Sequence, residues 1–115
     1  MFRNIKYLFV CLCFNLTQCR KPEVDPLKAY YNAENNESFQ LTCSILKGTK
    51  PIEFEWFKND LQLNSDTSGL MFDFKSSSST ILFEKISPIN SGNYSCRATN
   101  SDGYDQTSTY LQVKG

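Results

Sequence analysis

The chain has 115 residues, room for one domain rather than two. Its 12 Lys+Arg balance its 12 Asp+Glu, so no basic stripe points to nucleic acid and no acidic tail points to disorder. An aromatic content of 14% favours a packed core.

Residues 1–19, MFRNIKYLFVCLCFNLTQC, differ from the rest. Arg3 and Lys6 give a positive start, Tyr7 to Leu16 is a short apolar run, and Thr17 and Cys19 take the small positions before Arg20. That is the pattern of a secretory signal peptide cut after Cys19, and the run is short of the roughly 20 apolar residues of a membrane anchor. Cleavage would remove three of the five cysteines and leave Cys43 and Cys96. In an oxidising compartment those two have one possible pairing, Cys43–Cys96.

Residues 20–26, RKPEVDP, are polar, carry two prolines and read as an extended lead-in to a domain at 27–115. A series of short segments with period-two alternation follows. Residues 38–46 put Phe39, Leu41, Cys43 and Ile45 on one face and Gln40, Thr42 and Ser44 on the other. Gly48 and Pro51 bracket a turn. Residues 52–58 place Ile52, Phe54 and Trp56 inward and Glu53, Glu55 and Phe57 outward, and Asn59-Asp60 makes the next turn. Residues 70–74 alternate again, with Leu70, Phe72 and Phe74 expected inside. The serine run 76–79 reads as a turn. Ile81, Phe83 and Ile86 point to the core from the next strand, and Tyr94, Cys96 and Ala98 from the one after. A last strand covers about 105–113. No segment keeps a helical period over three turns, so the fold class is all-β, a sandwich or barrel.

The chemistry of catalysis is missing. Without histidine most triads and zinc sites fall away. Glu53 and Glu55 share one strand face at about 7 Å by strand rise, a separation that superficially suits a glycosidase. Exposed strands carry such charges routinely, so the expectation is a non-enzyme with no cofactor and no metal. Three sequons occur, at Asn15, Asn36 and Asn93. The first leaves with the leader; Asn36, in a turn, and Asn93, pointing outward, are the candidate glycosylation sites.

Trp56 follows Cys43 by one strand and a turn, and Tyr94 stands two residues before Cys96. With "STILFEKISPINSGNYSCRATNSDG", this constellation resembles the intermediate-set (I-set) immunoglobulin domains, a Greek-key β-sandwich, over about residues 22–113. The resemblance implies cysteines joining opposite sheets, Trp56 packed on the bridge, and a Tyr94 hydroxyl bonded back to the preceding corner. Asn90 stands where the family usually has Asp, and no Arg lies near Leu70. The family's ion pair is missing whole, and the corner is expected to hold through Tyr94 alone.

"KGTKPIEFEWFKND" followed by "ILFEKISPINSGNYSC" resembles, more narrowly, the Down syndrome cell adhesion molecule (Dscam) proteins of arthropods, above all the shortened forms of chelicerates. This resemblance implies the variable first domain of a receptor on the extracellular face of the plasma membrane, anchored downstream. Its protein partner would be an identical isoform on a facing cell. The alternative is an immune recognition domain, soluble or receptor-borne, that binds foreign or heterophilic ligands.

Two faces are available. In the family's lettering the segments at 38–46, 70–74 and 80–86 are strands B, D and E, and strand A precedes B; Met71, Asp73, Lys75, Thr80, Leu82 and Glu84 point outward from D and E, with Gln40 and Thr42 on B, and Lys28 and Tyr30 expected alongside on A. An apolar centre with a mixed-charge rim suits a two-fold self-contact. The rival face carries Phe57, Arg97 and Tyr104. A glycan on Asn93 would crowd that face and tilts the expectation toward the A-B-E-D side.

Overall fold

The computed structural model describes residues 19–67 and 69–115. The expected leader, residues 1–19, and its sequon at Asn15 lie outside the described residues, apart from Cys19. Among the described residues nine strands follow in order: β1 (Glu23–Val24), β2 (Tyr30–Glu34), β3 (Phe39–Lys47), β4 (Glu53–Lys58), β5 (Leu61–Gln62), β6 (Leu70–Phe74), β7 (Ser78–Phe83), β8 (Gly92–Asn100) and β9 (Gly103–Lys114). A 3-10 turn, Pro88–Asn90, sits between β7 and β8. The strands form two sheets, β1-β3-β7-β6 and β2-β9-β8-β4-β5. Every pairing is antiparallel except β2 with β9, which is parallel.

The core lies between the sheets and follows the period-two pattern. Leu41 and Cys43 from β3, Ile81 and Phe83 from β7, Phe54 and Trp56 from β4, Tyr94, Cys96 and Ala98 from β8, and Leu111 and Val113 from β9 are buried. Cys43 and Cys96 join the sheets by a disulfide with Cα atoms 6.4 Å apart. Closing a loop of this size stabilises by roughly 4 kcal/mol on the chain-entropy model. Trp56 is the cross-strand neighbour of Cys96.

Four expectations change. The first concerns strand A. Residues 20–26 carry β1 and sink Pro22 and Val24 into the core, but the chain then changes sheets. Pro26 has no N–H to give a ladder. Beyond it, Leu27 N–H donates to Thr107 Oγ1 at 2.9 Å, and Tyr110 N–H donates to the Ala29 carbonyl at 3.0 Å. Tyr30 therefore runs beside β9, and Lys28, just before it, sits with its ammonium 4.6 Å from the Tyr31 ring centre. Neither belongs to the β3-β7-β6 face where they were expected.

The second is the serine run. Ser78 and Ser79 belong to β7, and only the residues before them turn. Ser79 is buried and its Oγ accepts the Trp56 Nε1–H at 2.8 Å. A buried indole N–H without a partner is costly, so a hydroxyl is what this core position needs.

The third is Phe74, which is 57% exposed. It has the inward parity of Phe72 and stacks on it at 6.1 Å, but β6 is an edge strand. Opposite, β5 is two residues long and pairs only with Phe57 and Lys58, so the Phe74 end of β6 borders an open groove with Glu53 and Glu55 instead of a covering strand. Asn59 and Asp60, with φ of 49° and 68°, make the tight turn from β4 into β5.

The fourth is the corner before β8. Tyr94 OH donates to the Asn90 carbonyl at 2.6 Å, as expected. Asn90 also contributes, because its Oδ1 accepts the Ser87 N–H at 2.9 Å. Asparagine keeps the acceptor an aspartate would supply, without a charge that needs a partner.

Candidate recognition surfaces

The outer side of the four-stranded sheet is built in rows. Strand register sets Gln40, Leu82 and Met71 side by side, and Thr42, Thr80 and Asp73 in the next row. Period two sends these outward because Leu41, Ile81 and Phe72, one step along, turn toward the core. Met71 is 52% exposed, Leu82 is half-buried, and both lie in a shallow groove of about 310 Å³ with Gln40, Phe72, Asp73, Lys75 and Thr80. Asp73 and Lys75 form an ion pair at 3.4 Å on the surface. Thr42 and Thr80 share a hydroxyl hydrogen bond at 3.0 Å. Glu84 follows the end of β7 and is exposed. Eight of the ten expected surface residues thus lie on or beside this face, and Lys28 and Tyr30 do not.

The outer side of the five-stranded sheet holds its rings in two groups. Arg97, on β8, lies between Phe57 and Tyr104, its guanidinium carbon 4.9 Å and 5.2 Å from the ring centres. Its Nε–H donates to Gln106 Oε1 at 3.0 Å, which fixes the plane of the group. Toward the other end, Tyr30 and Tyr110 stack with centroids 6.0 Å apart and planes within 12°. Sequence reasoning passed over Tyr110. The alternation Tyr104, Gln106, Ser108, Tyr110 along β9 was its signal, since every member is exposed.

Asn36 is exposed in the turn between β2 and β3, at φ 70°, where asparagine is among the few residues at ease. Asn93 is exposed at the start of β8. It lies across from Tyr110, two same-face positions away from Arg97.

Glu53 and Glu55 border a second open groove, of about 490 Å³, at the sandwich edge with Phe74, Lys75 and Thr99. Glu55 Oε2 accepts from Gln62 Nε2 at 3.3 Å, a structural use. Among the described residues no group of three or more Cys, Asp or Glu is placed to hold a metal ion. No helix among them is long and apolar enough to cross a membrane. Burial raises the Tyr94 phenol well above its ordinary value, in line with a corner hydroxyl that only donates.

Comparison with known proteins agrees with this architecture. IgLON family member 5 of Homo sapiens is 39% identical over 76 residues, 65% of this chain and 22% of that protein. Junctional adhesion molecule B of Homo sapiens is 27% identical over 89 residues, 72% of this chain and 30% of that protein. Cardiac-type myosin-binding protein C of Mus musculus is 35% identical over 74 residues, 64% of this chain and 6% of that protein. The chain thus spans less than a third of the length of each of these relatives, which include both an adhesion molecule and a myosin-binding protein. Among solved structures, the Dscam1 Ig7 domain, isoform 5, superposes with a TM-score of 0.74 at 20% identity, over 82% of this chain and 97% of that one. The immunoglobulin I-set family model matches residues 22–113, and the chain belongs to that family of non-catalytic recognition and structural modules.

Proposed function

We propose that the chain is the amino-terminal recognition module of a Dscam-like cell-surface receptor and binds a second copy of itself across facing cells. The observation that carries this reading is the outer side of β3-β7-β6. Met71 and Leu82 form an apolar centre in a shallow groove, and a surface Asp73–Lys75 pair lies beside it. A face that carries both charges in adjacent positions is complementary to itself under a two-fold axis, since Asp73 of one copy meets Lys75 of the other. An isoform with a changed charge would meet a like charge, which gives discrimination. The contact is small, so many copies on a membrane supply the strength. In this reading the leader directs the chain into the secretory pathway and a downstream anchor holds it at the membrane.

Bead clustering tests the trans contact. Beads coated with the chain should aggregate, and beads coated with Leu82→Asp should stay dispersed while the protein keeps its fold. Aggregation that survives Leu82→Asp and Met71→Asp together would overturn the choice of face.

A second reading rests on Arg97. A guanidinium held flat between Phe57 and Tyr104 is a pre-ordered anchor of the kind enriched at binding hot spots. It supports heterophilic or foreign-ligand recognition on the five-stranded sheet.

A further inference from the structure

The stacked tyrosines and the second sequon converge on one row of the five-stranded sheet. Tyr30 pairs with Tyr110 across β2 and β9, and Tyr110 pairs with Asn93 across β9 and β8. Residues directly opposite share a face, so the order along the row is ring, ring, asparagine. The backbone of Asn93 is engaged on its far side: its N–H donates to Asn59 Oδ1 at 3.0 Å, and its carbonyl accepts the Asn59 N–H at 2.8 Å. Tyr110 N–H turns away toward Ala29. Asn93 and Tyr110 are therefore a non-hydrogen-bonded pair, the kind whose side chains approach most closely, with Cβ atoms about 4.5–5.5 Å apart. The two rings lie within 12° of parallel, and each is more than two-fifths exposed, so together they present a flat apolar shelf.

We propose that Asn93 carries an N-linked glycan and that its first N-acetylglucosamine rests on the Tyr110–Tyr30 shelf. The sugar's axial C–H face is apolar and suits an aromatic ring, while its hydroxyls and N-acetyl group remain in water. In the transfer, the Asn93 carboxamide nitrogen attacks the anomeric carbon of a polyprenyl diphosphate-linked oligosaccharide. A C–N bond forms, the C–O bond to diphosphate breaks, the amide loses one proton, and no electrons change hands. Ser95, the third sequon residue, is buried in the folded domain, and its Oγ is 2.7 Å from Ser108 Oγ. The transfer therefore precedes the pairing of β8 with β9. The seated sugar covers the β2-β9 end of this sheet and leaves the β3-β7-β6 face clear. It rests on the secretory-pathway part of the proposed function but not on homophilic binding.

The test is made on the full chain secreted by a eukaryotic host. Mass spectrometry after enzymatic release in heavy-oxygen water reads occupancy of Asn93 and, separately, Asn36. Glycans are then trimmed to one sugar, and the N-acetylglucosamine signals are read by NMR against the same glycopeptide excised by protease. The inference expects Asn93 to be occupied and its sugar protons to be shifted upfield by the rings in the folded domain. It expects that shift to vanish in Tyr110→Ser. Should that variant not fold, the comparison of intact domain with excised glycopeptide decides alone. A bare Asn93 in a secreted chain, or an occupied Asn93 with unshifted sugar signals, overturns the inference and leaves the adhesion reading standing. Retention of the chain in the cytosol overturns both.

Discussion

The two outer faces of this sandwich share one core yet are built differently. On the β3-β7-β6 side the apolar groups are single, unpaired with each other by stacking, and bordered by an Asp73–Lys75 pair. On the β2-β9-β8-β4 side the exposed rings are partnered: Tyr30 with Tyr110, and Phe57 and Tyr104 with Arg97. The first face presents Met71 and Leu82 to solvent without a ring partner. The second has satisfied its rings internally, and it carries the sequon at Asn93. The difference teaches that exposure alone does not mark a binding surface; whether an exposed group already has a partner matters as much.

The comparison breaks most completely at the core both faces stand on. Trp56→Ala should cost about 3–5 kcal/mol, because it opens a cavity beside Cys96 and strands the Ser79 hydroxyl. Urea unfolding reads it, and both faces should be lost together. Replacing Cys43 and Cys96 together by alanine should cost on the order of 4 kcal/mol, read in the same way.

Smaller changes sharpen the contrast. Tyr94→Phe removes the hydrogen bond to Asn90 and should cost roughly 0.5–1.5 kcal/mol, with Asn90 still capping Ser87. Its pH dependence has a definite sign. Burial holds the Tyr94 phenol above its ordinary value of about 10, so at alkaline pH the folded chain keeps a proton that the unfolded chain gives up. Its contribution is intact below that value and declines as pH rises above it toward the folded value. The wild type should therefore lose stability above it more steeply than Tyr94→Phe, as denaturant midpoints across alkaline pH would show. Smallest of all, Arg97→Ala should change stability by about 0.5 kcal/mol or less and leave self-association untouched, a result read by thermal unfolding and bead clustering. Loss of clustering in Arg97→Ala would reverse the assignment of faces.

Much of this was legible in the residues. Alternation placed Leu41, Cys43, Phe54, Trp56, Ile81, Phe83, Tyr94 and Cys96 inside, because a strand buried on one face has little freedom of register. The cysteine pairing followed, and so did the Tyr94 corner. What alternation does not encode is which neighbour a short strand finds. Tyr30 has the same parity on either sheet, and only the break at Pro26 and the hydrogen bonds to Thr107 and Tyr110 send it to β9. Nor does parity tell an inward side chain from a covered one, as Phe74 at its unroofed edge illustrates. The Ser79 hydroxyl was hidden in a run of serines that composition alone reads as a turn.

Sedimentation of the glycosylated chain across concentration, beside Leu82→Asp and Arg97→Ala, decides whether the β3-β7-β6 face is the self-contact. The parent and Arg97→Ala should shift from monomer to dimer as concentration rises, while Leu82→Asp stays a folded monomer. A parent that remains monomeric at the highest concentration, or a Leu82→Asp chain that dimerises as the parent does, would contradict that assignment.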